Sequence, residues 1–507
     1  MGTNMKNNLR LTAFALLGFF LFSISITSQV KPVKGTWVNL PYQDVRNKYM
    51  NPAHVEYKSA QFWEKKITEL SEFGIEYIVI MAVANERKSF YPSDFMEPAY
   101  SIGEKSPVEA ILETADTYNM KVFMSSGWAV NQDDNLSIPE IKETQEKIMF
   151  ETAAKFKHHK SFYGWYLPVE DAFEPYLSDH AVEAINTLTS KARDLTPGKK
   201  IMVSPYGICY ADIESKKFEE QILKLKVDII AYQDEVGCVR EPMPMKRMKE
   251  NFAKLGQIHE KTPIQFWANV ESFTWEKNDN DRESALIPAA FPRYLSQMTG
   301  VSMAGAQEVI SFSVYGIFDK PDSEMPIGQP CLSAKAYQDY MDWKNGEGRW
   351  KFLEATFRGE VDHSGVNKSV SSTRQIRKVN QLTDKKLGQE TTDDKEWVDF
   401  GNDKMEIVID LGKETKINTL AGRFLHYNKQ SVAIPSLVHF YISKDNKKFV
   451  RVNSIAMEAS RNDRFDCWID IAVSDHIEAS GRYIKIEADN RDNNKILCDE
   501  IFVNPKW

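Results

Sequence analysis

The sequence predicts a (β/α)8 barrel followed by an all-β sandwich. Two observations predict the barrel. From about residue 35 to 345, eight short apolar runs alternate with amphipathic stretches. Apolar runs separated by helices mark a parallel sheet covered on both faces, and eight units over roughly 310 residues match a closed barrel in count and length. One observation predicts the sandwich. Past residue 346 the helical rhythm stops, and short alternating runs separated by turn residues take over, as in two packed antiparallel sheets. A doubly wound open sheet is the competing architecture. It would want a glycine-rich phosphate turn after the first strand, and "NLPYQDVRNKY" offers none.

The elements follow in order. Residues 1–29 read as a signal peptide: Lys6 and Arg10 precede the apolar run "LTAFALLGFFLFSISI", and small and polar residues follow. A membrane anchor is the alternative, but the run is about 16 residues where a span needs about 20. The chain is therefore expected to be exported, periplasmic or secreted, with no membrane span after signal removal. Residues 30–346 form the barrel. Its strands are "GTWVNLPY", "IEYIVIMAVANE", "KVFMSSGW", "FYGWYLPVED", "KIMVSPYG", "VDIIAYQDEVG", "IQFWANVESF" and "EVISFSVYGIF". Helical candidates lie between them; Ser106-Pro107 with Glu109 reads as a helix start with proline in the first turn. An insertion after the second strand, "NERKSFYPSDFMEPAYSIGEKS", is placed to roof a pocket. Residues 347–380 read as a linker and 381–507 as the sandwich.

The totals narrow the partners. A net charge of −8 with no basic block argues against nucleic acid. The five cysteines show no CxxC spacing, so neither a zinc site nor a dense disulfide framework is implied. Cys467 and Cys498 either pair or stay as buried thiols.

In parallel barrels the functional residues sit at the C-terminal ends of the strands. None of the nine histidines falls there; His158 and His159 precede the fourth strand, on the opposite face. No catalytic metal is expected in the barrel, because zinc or iron needs imidazole or carboxylate ligands converging at the top. There is no Gly-x-Ser-x-Gly elbow and no strand-end lysine. Carboxylates, amides and aromatics remain, and that set suits glycoside hydrolysis by paired carboxyl groups. The fourth strand ends in Glu170 and Asp171, the seventh in Glu271. Trp165, Tyr166, Leu167 and Val169 give Glu170 the apolar surroundings that raise the pKa of a catalytic acid. Asn269 and Trp267 share the side of their strand with Glu271.

Substrate contacts are assigned to Asp234, Glu235 and Glu86 as polar groups, with Asp234 an alternative base if the reaction inverts. Trp37, Trp128, Tyr206, Trp267 and Trp275 are candidate stacking platforms for sugar rings. Each assignment has a plainer counterpart. Glu170 or Asp171 caps the next helix, Glu271 lies on a surface loop, and the tryptophans belong to the core. A non-catalytic glycan-binding protein on the same barrel is the competing function.

The stretches "GWYLPVED", "AYQDEVG" and "FWANVESF" resemble a family of exported barrel proteins of poorly defined function grouped with the glycoside hydrolases. The large superfamily of retaining glycosidases on this fold carries its acid/base after strand 4 and its nucleophile after strand 7. Glu170 and Glu271 fall on those positions. Val169 stands where that superfamily usually has asparagine. In the C-terminal part, "EIVIDLG", "FYISKDNKKFVRV", "RYIKIEAD" and "DEIFV" resemble the discoidin-like (coagulation-factor type C) sandwich. That resemblance implies a sugar-binding module or a spacer, and a structural calcium ion near Asp384; "LTDKK" lacks the usual glycine after the aspartate.

Overall fold

A computed structural model describes residues 29–40, 59–131, 134–237, 242–277, 285–362, 369–459 and 466–507. The signal-peptide reading falls, but for residue 29, on residues outside these. No helix among the described residues is long and apolar enough to cross a membrane.

Eight parallel strands close into a barrel in the order β1-β8-β7-β6-β5-β4-β3-β2. They are β1 (Gly35–Val38), β2 (Tyr77–Ile80), β3 (Lys121–Ser125), β4 (Phe162–Tyr166), β5 (Lys200–Val203), β6 (Ile229–Gln233), β7 (Gln265–Glu271) and β8 (Glu308–Phe312). Around them run α1 (Ala60–Phe73), α2 (Pro107–Thr117), α3 (Pro139–Phe156), α4 (Asp179–Leu195), α5 (Lys216–Lys224), α6 (Met245–His259), α7 (Phe291–Met303) and α8 (Leu332–Asn345). Local chemistry fixes their starts. The side chains of Ser59, Ser106, Ser178 and Ser215 each accept a hydrogen bond from a backbone N–H of the first turn, satisfying a donor the helix itself cannot.

Alternation along each strand sends one set of side chains inward. Trp37, Tyr77, Val79, Phe123, Tyr166, Met202, Ile229, Ala231, Trp267 and Ile310 fill the interior. The barrel is thus a packed core, not a pore. One close approach needs glycine. A Cβ on Gly164 in β4 would clash with the Lys200 carbonyl oxygen of β5. Gly164→Ala is therefore expected to lower the unfolding free energy by about 1–3 kcal/mol, read from urea titration.

The C-terminal part is two antiparallel sheets. One has the order β9-β11-β16-β13-β14 and the other β10-β17-β12-β15. Their strands are β9 (Ser369–Ser371), β10 (Val398–Asp399), β11 (Met405–Ile417), β12 (Leu420–His426), β13 (Leu437–Ser443), β14 (Val450–Ala456), β15 (Trp468–Ser474), β16 (Ala479–Asp489) and β17 (Leu497–Val503). The stretch expected to be a linker contains a further helix, α9 (Trp350–Arg358). Its Phe352 packs on Phe502 and Trp507 at ring distances of 5.0 and 4.5 Å, so it joins the two parts. Cys467 and Cys498 are free thiols.

The sandwich docks on the α6–α7 side of the barrel through ion pairs. Lys249 meets Glu390 at 2.8 Å, Arg349 meets Asp470 at 3.0 Å, and Arg293 meets Asp466 at 3.6 Å. Glu390, Asp466 and Asp470 are all buried. Burying a carboxylate without a cation is strongly unfavourable, so these pairs fix which surfaces meet.

Candidate active site

The C-terminal mouth of the barrel carries a connected polar network. Gln233, the last residue of β6, donates from Nε2 to Glu170 Oε1 at 3.1 Å and to the Ser204 carbonyl at 3.0 Å. Asn269 lies beside Gln233 in the β6–β7 register. It donates to Ser204 Oγ at 3.3 Å and accepts from the Phe312 N–H at 2.9 Å. Side chains on or just after strands 4 to 7 and a backbone N–H of β8 are thus joined. Glu271 follows two residues above Asn269 on the same side of β7.

Glu170 and Asp171 are adjacent but separate in role. Asp171 Oδ2 accepts from the backbone N–H of Ser178, the cap of α4, at 2.8 Å. It steadies the helix entry. Glu170 turns to Gln233 instead. It also lines a pocket of about 300 Å3 together with Trp128, Asn135, Pro168, Asp171 and His180, at the lower end of the size range for small-molecule sites. Trp128 donates from Nε1 to the Pro168 carbonyl at 2.9 Å, which ties the loop after β3 to the loop carrying Glu170.

Glu271 is buried, and its Oε2 accepts from the Gly237 N–H at 2.7 Å. Its own N–H donates to Asp234 Oδ1 at 3.1 Å. Asp234 is fully buried and turned toward α7, where Gln297 donates to its Oδ2 at 2.6 Å. Arg293 of the same helix is also fully buried and donates to the carbonyls of Glu271 and Phe273 at 3.1 and 2.6 Å. Burial holds the Glu271 carboxyl well above the usual carboxylate range, the charges of Asp234 and Glu235 add to this, and Arg293 opposes it. Burial likewise pushes Asp234 up to about 6, against the hydrogen bond from Gln297. A protonated carboxyl group at neutral pH is what a general acid requires.

A pH dependence of stability follows. A carboxyl group raised on folding stabilises most below its ordinary value, and that contribution is lost as pH rises through the folded value. For Asp234 the window runs from about pH 4 to about 6. Asp499, also raised to about 6 by burial, contributes in the same window. The difference curve between wild type and Asp234→Asn cancels the Asp499 contribution. Wild-type unfolding free energy should fall relative to the variant by roughly 2–3 kcal/mol between pH 4 and 7, measured by denaturant titration.

The remaining expected residues are dispersed. Glu235 takes a left-handed backbone (φ 56°). Its carboxylate accepts the N–H groups of Gly207, Ile208 and Cys209. It holds the loop after β5, so substrate contact is not its place. Trp267 pairs with the first residue of β8 and packs on Tyr77 and Phe123 at 4.9 and 5.9 Å. It fills the barrel floor, not the mouth. Trp37 is 1 % exposed and meets Tyr166 edge-on at 5.9 Å, packed inside the barrel. Trp275 is half-buried on a hairpin with residues 286–288, and its Nε1 has no hydrogen-bond partner among the described residues. Tyr206 is exposed after β5, with its backbone accepting from the Phe173 N–H at 3.0 Å. Glu86 is exposed at φ 49° in the insertion after β2. That insertion forms a small three-stranded sheet pinned to α3, where Glu151 accepts from Tyr91, Ser93 and the Asp94 N–H.

The loop expected to hold calcium is built on N–H donors. Asp384 Oδ1 accepts from the Lys386 N–H, Glu500 from Lys385, and Asp499 from Gly388 and the Arg423 guanidinium. Calcium takes six to eight oxygen ligands. The donors here occupy one oxygen each of Asp499 and Glu500, and Asp499 Oδ1 is buried with no hydrogen-bond partner among the described residues.

Sequence reasoning missed Arg293 and Gln297, and it gave Gln233 and Ser204 no role. Arg293 had a signal: it is the one charged residue in "FPRYLSQMTGVSM", an otherwise uncharged stretch.

The barrel segment decides the family. The chain belongs to the family described as a domain of unknown function (DUF4434), matched over residues 33–325. No curated relative matches the chain. Among solved structures it is similar to a suggested alpha-L-fucosidase from Bacteroides thetaiotaomicron, at 18% identity over 62% of this chain and 96% of that one, with a TM-score of 0.48. It is similar to a GH29 fucosidase of Ruminococcus gnavus solved with fucose, at 12% identity over 94% and 92%, with a TM-score of 0.33. It is also similar to a CBM32 module produced by Clostridium perfringens, at 16% identity over 28% and 97%, with a TM-score of 0.20.

Proposed function

We propose that the protein is an exported glycoside hydrolase acting on an oligo- or polysaccharide at the C-terminal mouth of the barrel. What supports this reading is two unlike carboxyl groups at the C-terminal ends of strands 4 and 7. Glu271 is buried with a raised pKa, and Glu170 accepts an amide hydrogen bond at the pocket edge.

The roles follow from those environments. Glu271 holds its proton and delivers it to the glycosidic oxygen as the C–O bond breaks. Glu170 meets the developing oxocarbenium carbon, either directly or by taking a proton from the attacking water. This inverts the order expected from sequence, in which the apolar neighbours of Glu170 made it the acid. Gln233 orients the carboxylate, and Asn269 braces the layer beside it. Trp128 supplies an apolar face beside Glu170. The sandwich is the module through which the enzyme would hold its polysaccharide.

A second reading has one observation in its favour. Glu271 does not line the pocket that Glu170 lines, as in a protein that binds glycan without cleaving it. Hydrolysis of a panel of aryl glycosides by the purified full chain separates the two. Turnover lost in both Glu170→Gln and Glu271→Gln supports the enzyme. Binding of glycans by wild type without turnover of any of them supports the binding protein.

A further inference from the structure

Away from the mouth, the turn before β4 brings together groups the proposed reaction does not use. We propose that Glu109, His158 and His159 form a binding site for one divalent transition-metal ion of the zinc class, with Asp116 orienting His159 from behind.

The ligand atoms of the three residues lie within 4.8 Å of one another. His159 is buried and held from two sides. Its Nδ1 is 2.8 Å from Asp116 Oδ2, and Asp116 is itself fixed by the Ser161 N–H at 2.6 Å. A carboxylate behind one ring nitrogen sets the tautomer and aims the other nitrogen at a metal. The aimed atom, Nε2, stands 3.1 Å from Glu109 Oε1. Two donors bonded to one zinc ion at about 2.0–2.1 Å with a tetrahedral angle stand about 3.3 Å apart, so little movement seats an ion between them. His158 supplies the third donor. Its ring lies 4.2 Å from that of His159 at 37°, and it is exposed, which gives the ion a path from solvent.

Donor chemistry selects the class. Two imidazoles and one carboxylate suit zinc and its neighbours, whereas calcium and magnesium want oxygen throughout. Three protein ligands leave a fourth position for water. His158 and His159 lie at the opposite end of β4 from Glu170, and Glu109 and Asp116 belong to α2. The ion would therefore clamp α2 to the base of β4.

The test uses tag-free, chelator-treated full chain titrated with Co2+, followed by visible absorption and by competition with Zn2+. One equivalent should bind with the intense d–d bands of low coordination, and Zn2+ should displace it. Thermal unfolding should shift upward with metal. His158→Ala, at an exposed position, should weaken binding by more than about 100-fold, and Asp116→Asn by about 10–100-fold. Glu109→Gln provides a second ligand variant should one of these fail to fold. Absence of the bands, or an unchanged titration in both His158→Ala and Glu109→Gln, would overturn the site and leave His159 as a salt-bridged histidine.

Discussion

Glu271→Gln should lower kcat by about 10²–10⁴-fold on a glycoside with a poor leaving group. Glutamine keeps the shape, and its amide oxygen still accepts from the Gly237 N–H that Glu271 holds at 2.7 Å. Only the transferable proton is lost. The loss should therefore shrink with a leaving group that departs without protonation, such as a nitrophenolate. Glu170→Gln should behave differently, because a carboxylate that attacks carbon or activates water is needed whatever leaves. Its deficit should be similar across leaving groups. An equal leaving-group dependence in both variants would sink the role assignment, and full activity in Glu271→Gln would sink the mechanism. The pH profile gives an independent check. Glu271 works protonated, so activity should fall as pH rises through its raised value. The charge on Asp234 helps raise that value, so Asp234→Asn should move the alkaline limb to lower pH.

The fold was legible where burial made the pattern simple. Barrel strands buried on both faces read as apolar runs, and all eight fall where the runs do. β15 is hidden in the sequence for a related reason. Nearly all of Trp468–Ser474 is buried, and Asp470 in its middle faces Arg349 of the barrel side, so no solvent-facing alternation marks it. The helix α9 was missed because glycines precede it and the residues it packs on lie about 150 positions later. At the mouth, alternation says which way a side chain points but not how far along the barrel axis it lies. Trp267, Asn269 and Glu271 share a side, yet only register separates the floor from the mouth. Glu235 turns on backbone conformation: a left-handed residue after β6 swings its carboxylate onto three N–H groups of the neighbouring loop. No local pattern encodes that.

Arg293→Leu should destabilise the protein by about 3–5 kcal/mol, the usual cost of stripping one partner from a buried ion pair. Arg293 is fully buried between the barrel and the sandwich, with Asp466 at 3.6 Å on one side and the Glu271 and Phe273 carbonyls on the other. Removing it leaves the Asp466 carboxylate buried without that cation. The double variant Arg293→Leu with Asp466→Leu should recover much of the loss, since replacing both charges by apolar groups is often near neutral. A denaturant-based double-mutant cycle measures the coupling; strictly additive losses would refute it. The same substitution reaches the proposed chemistry. Arg293 is the charge that opposes the raised pKa of Glu271, so its loss should move the alkaline limb of the pH–rate profile to higher pH. That shift is opposite in sign to the one from Asp234→Asn. Opposite displacements from two substitutions on either side of one carboxyl group would identify Glu271 as the titrating acid. They would also place its control partly in a residue whose other partner belongs to the sandwich.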